Sequence, residues 1–300
     1  MLLNDIQKHI SESEIEKSSI LKIIFTKFDR PVVFLPNYGE FGSTVVKLIK
    51  IVHFVNAPKK IVCCKKGEEC YFPNANEFFY EWDDFVEDEH KWGFFTKKSP
   101  RHSTYKKMLS KDFEKIKNHF GDQCHYIHLW KFNIDKIFNK YHHYFTFKLC
   151  PKIKNNISAD VIISPRNKMS RKENNFLQWE QIISELNKKG YTIGCVGSKD
   201  QSITLKNNYI NSWDYEDNSS AVIELLSNCK LYLGLDTGVS HLAAFMSVPM
   251  IVFSHSNQKH YLTNFMKEIN KNYFKDLGKN IKNTEIIIEK TLNFLEKEIL

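Results

Sequence analysis

The densest grouping of chemically able side chains is Asp236-Thr237-Gly238-Val239-Ser240-His241, set between two apolar runs, LYLGL at 231–235 and MIVF at 250–253. A carboxylate, two hydroxyls, a glycine and an imidazole at this spacing can do two things: cap a helix or hold a phosphate. The first turn of a helix leaves backbone N–H groups without intrahelical partners, and the helix dipole favours negative charge there. Thr237 and His241 stand four apart and so share one helix face. Asp236 as N-cap beside a satisfied histidine is the plain alternative. It accounts for Asp236 but not for the whole cluster.

Two further groups have the same character. In ISPRNKMSRKENNFLQWEQ, the cations Arg166, Lys168, Arg171 and Lys172 crowd the approach to a helix, which Ser170–Glu173 and Asn175–Gln178 mark with capping-box spacing. Of 43 basic residues only Arg30, Arg101, Arg166 and Arg171 are arginine, so the close pair stands out; its planar fork suits bidentate phosphate contact. The readings are a diphosphate site or a solvated basic loop, and Phe176, Trp179, Ile182, Ile183 and Leu186 behind it repeat as a core-facing helix stripe. In PNYGEFGSTVVKL, Asn37, Tyr38, Gly39, Glu40 and Gly42 lie between an apolar run and a helical pattern. Glu40 there either complements the helix dipole, with Ser43 as cap, or serves as a general base.

The elements that must position these groups alternate. PVVFLP (31–36), a helix from about 43 to 55, KIVCC (60–64), EFFYEW and CHYIHLW (124–130) make the first half. DVIIS (160–164), a helix, YTIGCVG (191–197), a helix at 220–228, LYLGL, a helix from about 239 and MIVF make the second. Continuous apolar strands with helices between them predict parallel sheets covered on both faces, hence an α/β chain of two doubly wound units. The predicted domains are 1–152 and 153–280, with a final helix, 281–300, expected to pack back on the first domain, and KLCPKIKNNISAD (148–160) as linker. Six of the eleven glycines, Gly39, Gly42, Gly194, Gly197, Gly234 and Gly238, fall near predicted strand ends, where ligands bind in open α/β sheets.

Composition narrows the function classes. A chain of 300 residues with 42% apolar content can bury two cores. No run approaches the ~20 apolar residues of a spanning helix, and MLLNDIQKHISESEIEKSS is too polar for a signal peptide, so a soluble, cytoplasmic protein is expected. Seven cysteines without a C-x-x-C pair read as free thiols. The net charge of +8 predicts an anionic partner and allows peripheral membrane contact through a basic surface. Lysines spread without an aromatic-interleaved stripe argue against nucleic acid, and the lack of G-x-G-x-x-G after a strand argues against a dinucleotide dehydrogenase. Asp83-Asp84, in an acidic-aromatic stretch, lacks D-x-D spacing and reads as solvated loop rather than metal site.

LGLDTGVSHLAAFMSVPMIVF resembles the D-[ST]-G-x-x-H-[LIV]-A-A signature of glycosyltransferase family nine, the heptosyltransferase-like enzymes of the GT-B superfamily. VIISPR, Arg171-Lys172 before a tryptophan-containing helix, and GYTIGCVG follow the family's order, so the resemblance spans about 158–255. Gly39-Glu40 stands where the family has Gly-Asp, a longer carboxylate replacing the family's proposed base. The resemblance implies two Rossmann-like domains facing across a cleft and an inverting, metal-independent sugar transfer that needs no cofactor. Its co-substrate would be a nucleotide-diphosphate sugar, and its acceptor a glycan, glycolipid or other glycoconjugate. By the same resemblance Glu40 is the base on an acceptor-side loop of Asn37, Tyr38, Gly39 and Gly42. Donor contacts fall to Arg166, Lys168, Arg171, Lys172, Gly197, Asp236, Thr237, Gly238, Ser240 and His241. An epimerase or hydrolase on the same fold, or a silent nucleotide or glycan binder, is the alternative. Residues 65–150 match nothing in the family's pattern, and the acceptor is left open.

Overall fold

The computed structural model describes residues 3–36, 45, 48–81, 102–128, 136–165, 177–197, 199, 202, 205–206, 209–235, 237–253, 266–270, 274–276 and 284–297. Over these the chain divides into two units, Met1–Phe147 and Lys148–Leu300.

The first unit opens with three short helices, α1 (Leu3–Gln7), α2 (Glu12–Lys17) and α3 (Ser19–Phe25). There follow β1 (Val32–Phe34), α4 (Ile49–Phe54), β2 (Lys60–Cys63), β3 (Glu77–Phe79), α5 (His102–Phe120), β4 (His125–Ile127) and α6 (Lys136–Tyr141). The strands form one parallel sheet in the order β3-β2-β1-β4. Side chains alternate across a strand, so Val33, Leu35, Ile61, Cys63 and Phe79 share one face, where Ile116, Phe113 and Phe120 of α5 cover them. The opening helices, read in the sequence only as too polar for a signal peptide, are tied to α6. Glu14 accepts hydrogen bonds from Lys140 Nζ at 3.0 Å and Tyr141 Oη at 2.8 Å.

The second unit runs β5 (Val161–Ile163), α7 (Leu177–Lys188), β6 (Ile193–Cys195), β7 (Ile210–Asn211), α8 (Asn218–Ser227), β8 (Leu231–Leu235), α9 (Gly238–Phe245), β9 (Met250–Phe253), β10 (Phe274–Asp276) and α10 (Thr284–Lys297). Its sheet is parallel throughout, ordered β10-β9-β8-β5-β6-β7. One face, with Val161, Ile163, Ile193, Cys195, Leu231, Leu233, Leu235 and Ile251, packs on Trp179, Ile182, Ile183 and Leu186 of α7 and on Ile287, Phe294 and Leu295 of α10. The last helix, expected to return to the first domain, is thus built into the core of the second, because its apolar stripe completes the α7 side of the sheet. Tyr232 and Gly234 point to the opposite face, the one that takes α9.

The segment expected to be a linker is fastened to the second unit. Ser220 Oγ accepts the backbone N–H of Lys152 at 2.9 Å and of Ile153 at 3.2 Å. One turn on, the Glu224 carboxylate accepts those of Asn155 at 2.7 Å and Ile157 at 3.1 Å. Residues four apart on α8 thereby pair the N–H groups of an extended stretch that belongs to no strand.

Candidate functional site

A Rossmann-type sheet changes direction where successive crossovers leave from opposite sides, and ligands bind at the carboxyl ends of the strands flanking that point. In the second unit those strands are β5 and β8, paired in register Ile163↔Leu233. β5 runs out through Ser164 and Pro165 toward Arg166, and β8 runs out toward Asp236-Thr237. The neighbouring β6 ends at Cys195, two residues before Gly197. The two motifs singled out by residue type therefore leave adjacent strands at one sheet edge. Arg166, Lys168, Arg171, Lys172 and Asp236 themselves lie outside the described residues, as do Ser170, Glu173 and Asn175.

The N-cap of α9 is Thr237, with φ −136° and ψ 171°, rather than Asp236. Thr237 and Ser240 form a reciprocal capping box in which Ser240 Oγ accepts the Thr237 N–H at 3.3 Å. The Thr-x-x-Ser pair thus occupies the N–H groups of Thr237 and Ser240 and leaves those of Gly238 and Val239 at the helix start. Gly238 and Val239 follow as the first two helical residues. His241 is buried, 2% exposed, and its backbone N–H reaches Thr237 O at 3.3 Å, an i→i−4 bond of the first turn of α9.

Ser240 is fully buried, and its hydroxyl is committed to the protein: it donates to Leu235 O and lies 3.0 Å from Tyr232 Oη. Ser240, one of the donor contacts expected from the resemblance, therefore lies beneath the turn with its hydroxyl bonded within the protein. Tyr232 was not among them. It sits on an apolar strand with no polar neighbour to mark it; the signal for it is Gly234, where an added Cβ would lie 2.5 Å from the Tyr232 hydroxyl. Gly234 serves that ring and not a ligand. Gly194 likewise serves packing, its Cβ position being 2.6 Å from Ile162 Cδ1. Gly197 has φ +142°, a conformation that favours glycine, and its carbonyl accepts from Asn218 Nδ2 at 2.9 Å. Close by, Ser212 Oγ and Asn218 Oδ1 are buried with no hydrogen-bond partner among the described residues.

In the first unit the equivalent point lies between β1 and β4, where Leu35 N donates to Ile127 O at 2.9 Å. Asn37, Tyr38, Gly39, Glu40 and Gly42 lie outside the described residues; the chain enters that stretch from Pro36, directly after β1. The same edge carries residues that motif reasoning did not select. His128, 8% exposed, follows β4, and Glu69, 9% exposed, accepts a 2.5 Å hydrogen bond from Tyr80, which follows β3. Burial pushes the Cys63 and Cys64 thiols well up from their ordinary range, so both stay protonated and neither is a nucleophile. Among the described residues no group of three or more His, Cys, Asp or Glu is placed to hold a metal ion, and no helix is long and apolar enough to cross a membrane.

Two parallel-sheet α/β units, the second with a capped helix at its switch point, are the architecture of the GT-B glycosyltransferases. The chain belongs to glycosyltransferase family 9 (heptosyltransferase), whose family model matches residues 88–273. Of solved structures, the family 9 glycosyl transferase from Veillonella parvula is similar, with TM-score 0.52 and 12% identity over 91% of this chain and 98% of that one. The E. coli heptosyltransferase WaaC with ADP gives TM-score 0.49 and 10% identity over 90% of this chain and 100% of that one. The iron-containing dodecameric TibC from enterotoxigenic E. coli gives 0.44 and 14% over 91% and 78%. No curated protein sequence matches the chain.

Proposed function

We propose that this glycosyltransferase holds a nucleoside-diphosphate sugar at the carboxyl edge of its second sheet. It then transfers the sugar, with inversion and without a metal ion, to a hydroxyl of a glycan or glycolipid acceptor. The observation that carries the reading is the pairing of β5 with β8, which sends the run containing Arg166, Lys168, Arg171 and Lys172 and the capped start of α9 from neighbouring strand ends. As the bond from the anomeric carbon to the diphosphate oxygen breaks, its electron pair passes to the leaving group, whose charge grows. Four cations and the free N–H groups of Gly238 and Val239 stabilise that charge, the task a divalent ion performs elsewhere. The Thr237 hydroxyl adds a donor. The Glu40 carboxylate takes the acceptor's proton as its oxygen attacks from the opposite face.

The test is a thermal-shift screen with ADP-, GDP-, UDP-, CMP- and dTDP-sugars, ADP-heptose first because of the family. A ligand that binds only the folded chain raises its melting temperature. Transfer with the best donor is then measured in EDTA. Undiminished transfer supports the mechanism, strict metal dependence contradicts it, and donor consumption without an acceptor points to a hydrolase or epimerase.

A further inference from the structure

We infer that Tyr232 is a positioning residue for the phosphate-side turn of this site, an assignment that rests on the donor reading above. A serine hydroxyl has one hydrogen and two lone pairs. The hydrogen of Ser240 goes to Leu235 O, and one lone pair takes the Thr237 N–H at 3.3 Å. The Tyr232 hydroxyl, 3.0 Å away, must then be the donor that fills the second lone pair. Ser240 Oγ is saturated, so the Thr237 hydroxyl, 3.3 Å from it, has no lone pair there to claim. Thr237 is left to direct its hydrogen away from Ser240, toward a ligand at the helix start.

The phenol achieves this from below. Tyr232 is fully buried on β8, and its ring passes under Gly234, where the absence of a Cβ leaves room for the hydroxyl. Tyr232, Gly234 and Ser240 are therefore one device: the glycine admits the ring, the ring's hydroxyl fixes the serine, and the serine bridges Leu235 O to Thr237 N. That bridge ties the end of β8 to the N-cap of α9. Without the phenol hydrogen, Ser240 has a lone pair to offer Thr237, and the threonine hydroxyl turns inward.

The test compares wild type with Tyr232→Phe, which keeps the ring and removes the hydroxyl. Two quantities are read: amide hydrogen exchange over residues 231–245 without ligand, and affinity for the nucleoside diphosphate that the screen selects. The expected result is faster exchange confined to the turn at 235–241 and binding about five- to tenfold weaker, the scale of one lost hydrogen bond. Unchanged affinity overturns the inference, whatever the exchange, because a purely structural tyrosine would change stability alone. Ser240→Ala is the second variant and serves if Tyr232→Phe does not fold. It is expected to weaken binding, and adding Tyr232→Phe to it should weaken binding no further; a further loss shows that the phenol does not act through Ser240 and overturns the inference. Should the wild-type chain bind no nucleoside diphosphate at all, the donor reading fails by itself. The exchange at 235–241 then decides alone whether Tyr232 sets the turn, and wild-type exchange in Tyr232→Phe rejects it.

Discussion

At the scale of single residues, the proposed chemistry separates binding from turnover. Glu40→Gln replaces a carboxylate with an amide of nearly equal size that cannot take a proton. It is expected to lower kcat by roughly 10²- to 10⁴-fold, the usual contribution of a general base, with nucleotide affinity kept; a Glu40→Gln enzyme of normal turnover removes the base assignment. By the proposed donor site, Arg171→Ala would remove a charge-assisted contact to the diphosphate and should weaken nucleotide binding about tenfold or more, read by calorimetry. Thr237→Val tests the cap from the ligand side. It keeps the shape and the backbone N–H groups but loses the hydroxyl, so the expected loss in affinity is several-fold, about one hydrogen bond. Its stability falls as well, since Thr237 is also the N-cap of α9.

At the scale of elements, α8 does two tasks that no motif announces. Its first residue, Asn218, holds the carbonyl of Gly197 at the sheet edge, while Ser220 and Glu224 along its length bind the backbone of 152–157. Glu224→Ala strands the N–H groups of Asn155 and Ile157 and should cost about 2 kcal/mol, seen as a lower denaturant midpoint with nucleotide affinity unaltered. A wild-type midpoint would mean that water replaces the carboxylate without loss. The contrast with β8 and β9 shows what a sequence can carry. Those strands occupy the residues their apolar runs mark, Leu231–Leu235 and Met250–Phe253, because burial on both faces leaves no polar position to blur them. The edge strands β7 (Ile210–Asn211) and β10 (Phe274–Asp276) are two and three residues long and their described side chains are only half-buried, so no apolar run exists to find. α5 hides for a related reason: Phe113, Ile116 and Phe120 are its apolar side, and lysines between them mask the period. The site divides in the same way. The place of DTGVSH at a strand end was legible from local order, whereas the shift of the cap to Thr237 and the part of Tyr232 depend on a ring passing beneath a glycine, a contact between residues that only the folded sheet arranges.

At the scale of the whole molecule, two units with separate cores need not unfold together, and their titrating groups differ enough to pull them apart in acid. In the first unit His53 is packed face to face on Phe147, with ring centroids 3.5 Å apart and planes 7° apart, and edge-on to Phe54. Burial, and then the positive charge of Lys60, push its pKa from the ordinary 6.5 down to about 4. Lys60 is fixed beside it because its ammonium donates to Val52 O and His53 O, both at 2.9 Å, closing the carboxyl end of α4. Between pH 6.5 and 4 the unfolded chain protonates His53 and the folded chain does not, so the unfolded state binds more protons and stability falls as pH falls. A tenfold change in proton affinity is worth about 1.4 kcal/mol, which bounds the full loss at roughly 3 kcal/mol. Glu14 adds a second loss at lower pH. Bonds from Ser11, Lys140 and Tyr141 hold its carboxyl at about 2 against an ordinary 4.5, so its stabilisation is present above 4.5 and disappears on the way to 2. In the second unit Asp160 is partly opposed by burial, but Thr192 and Lys230 keep its carboxyl below 3.8, so this group contributes no pH dependence above about that value. Calorimetry at pH 7 and pH 5 should therefore show one transition falling by roughly 5 °C and another nearly stationary. His53→Phe keeps the stack on Phe147 and removes the titration, so in that variant the first transition should hold its temperature between pH 7 and 5. A slope unchanged from wild type would place the acid sensitivity on some other group and separate it from the His53–Lys60 pair.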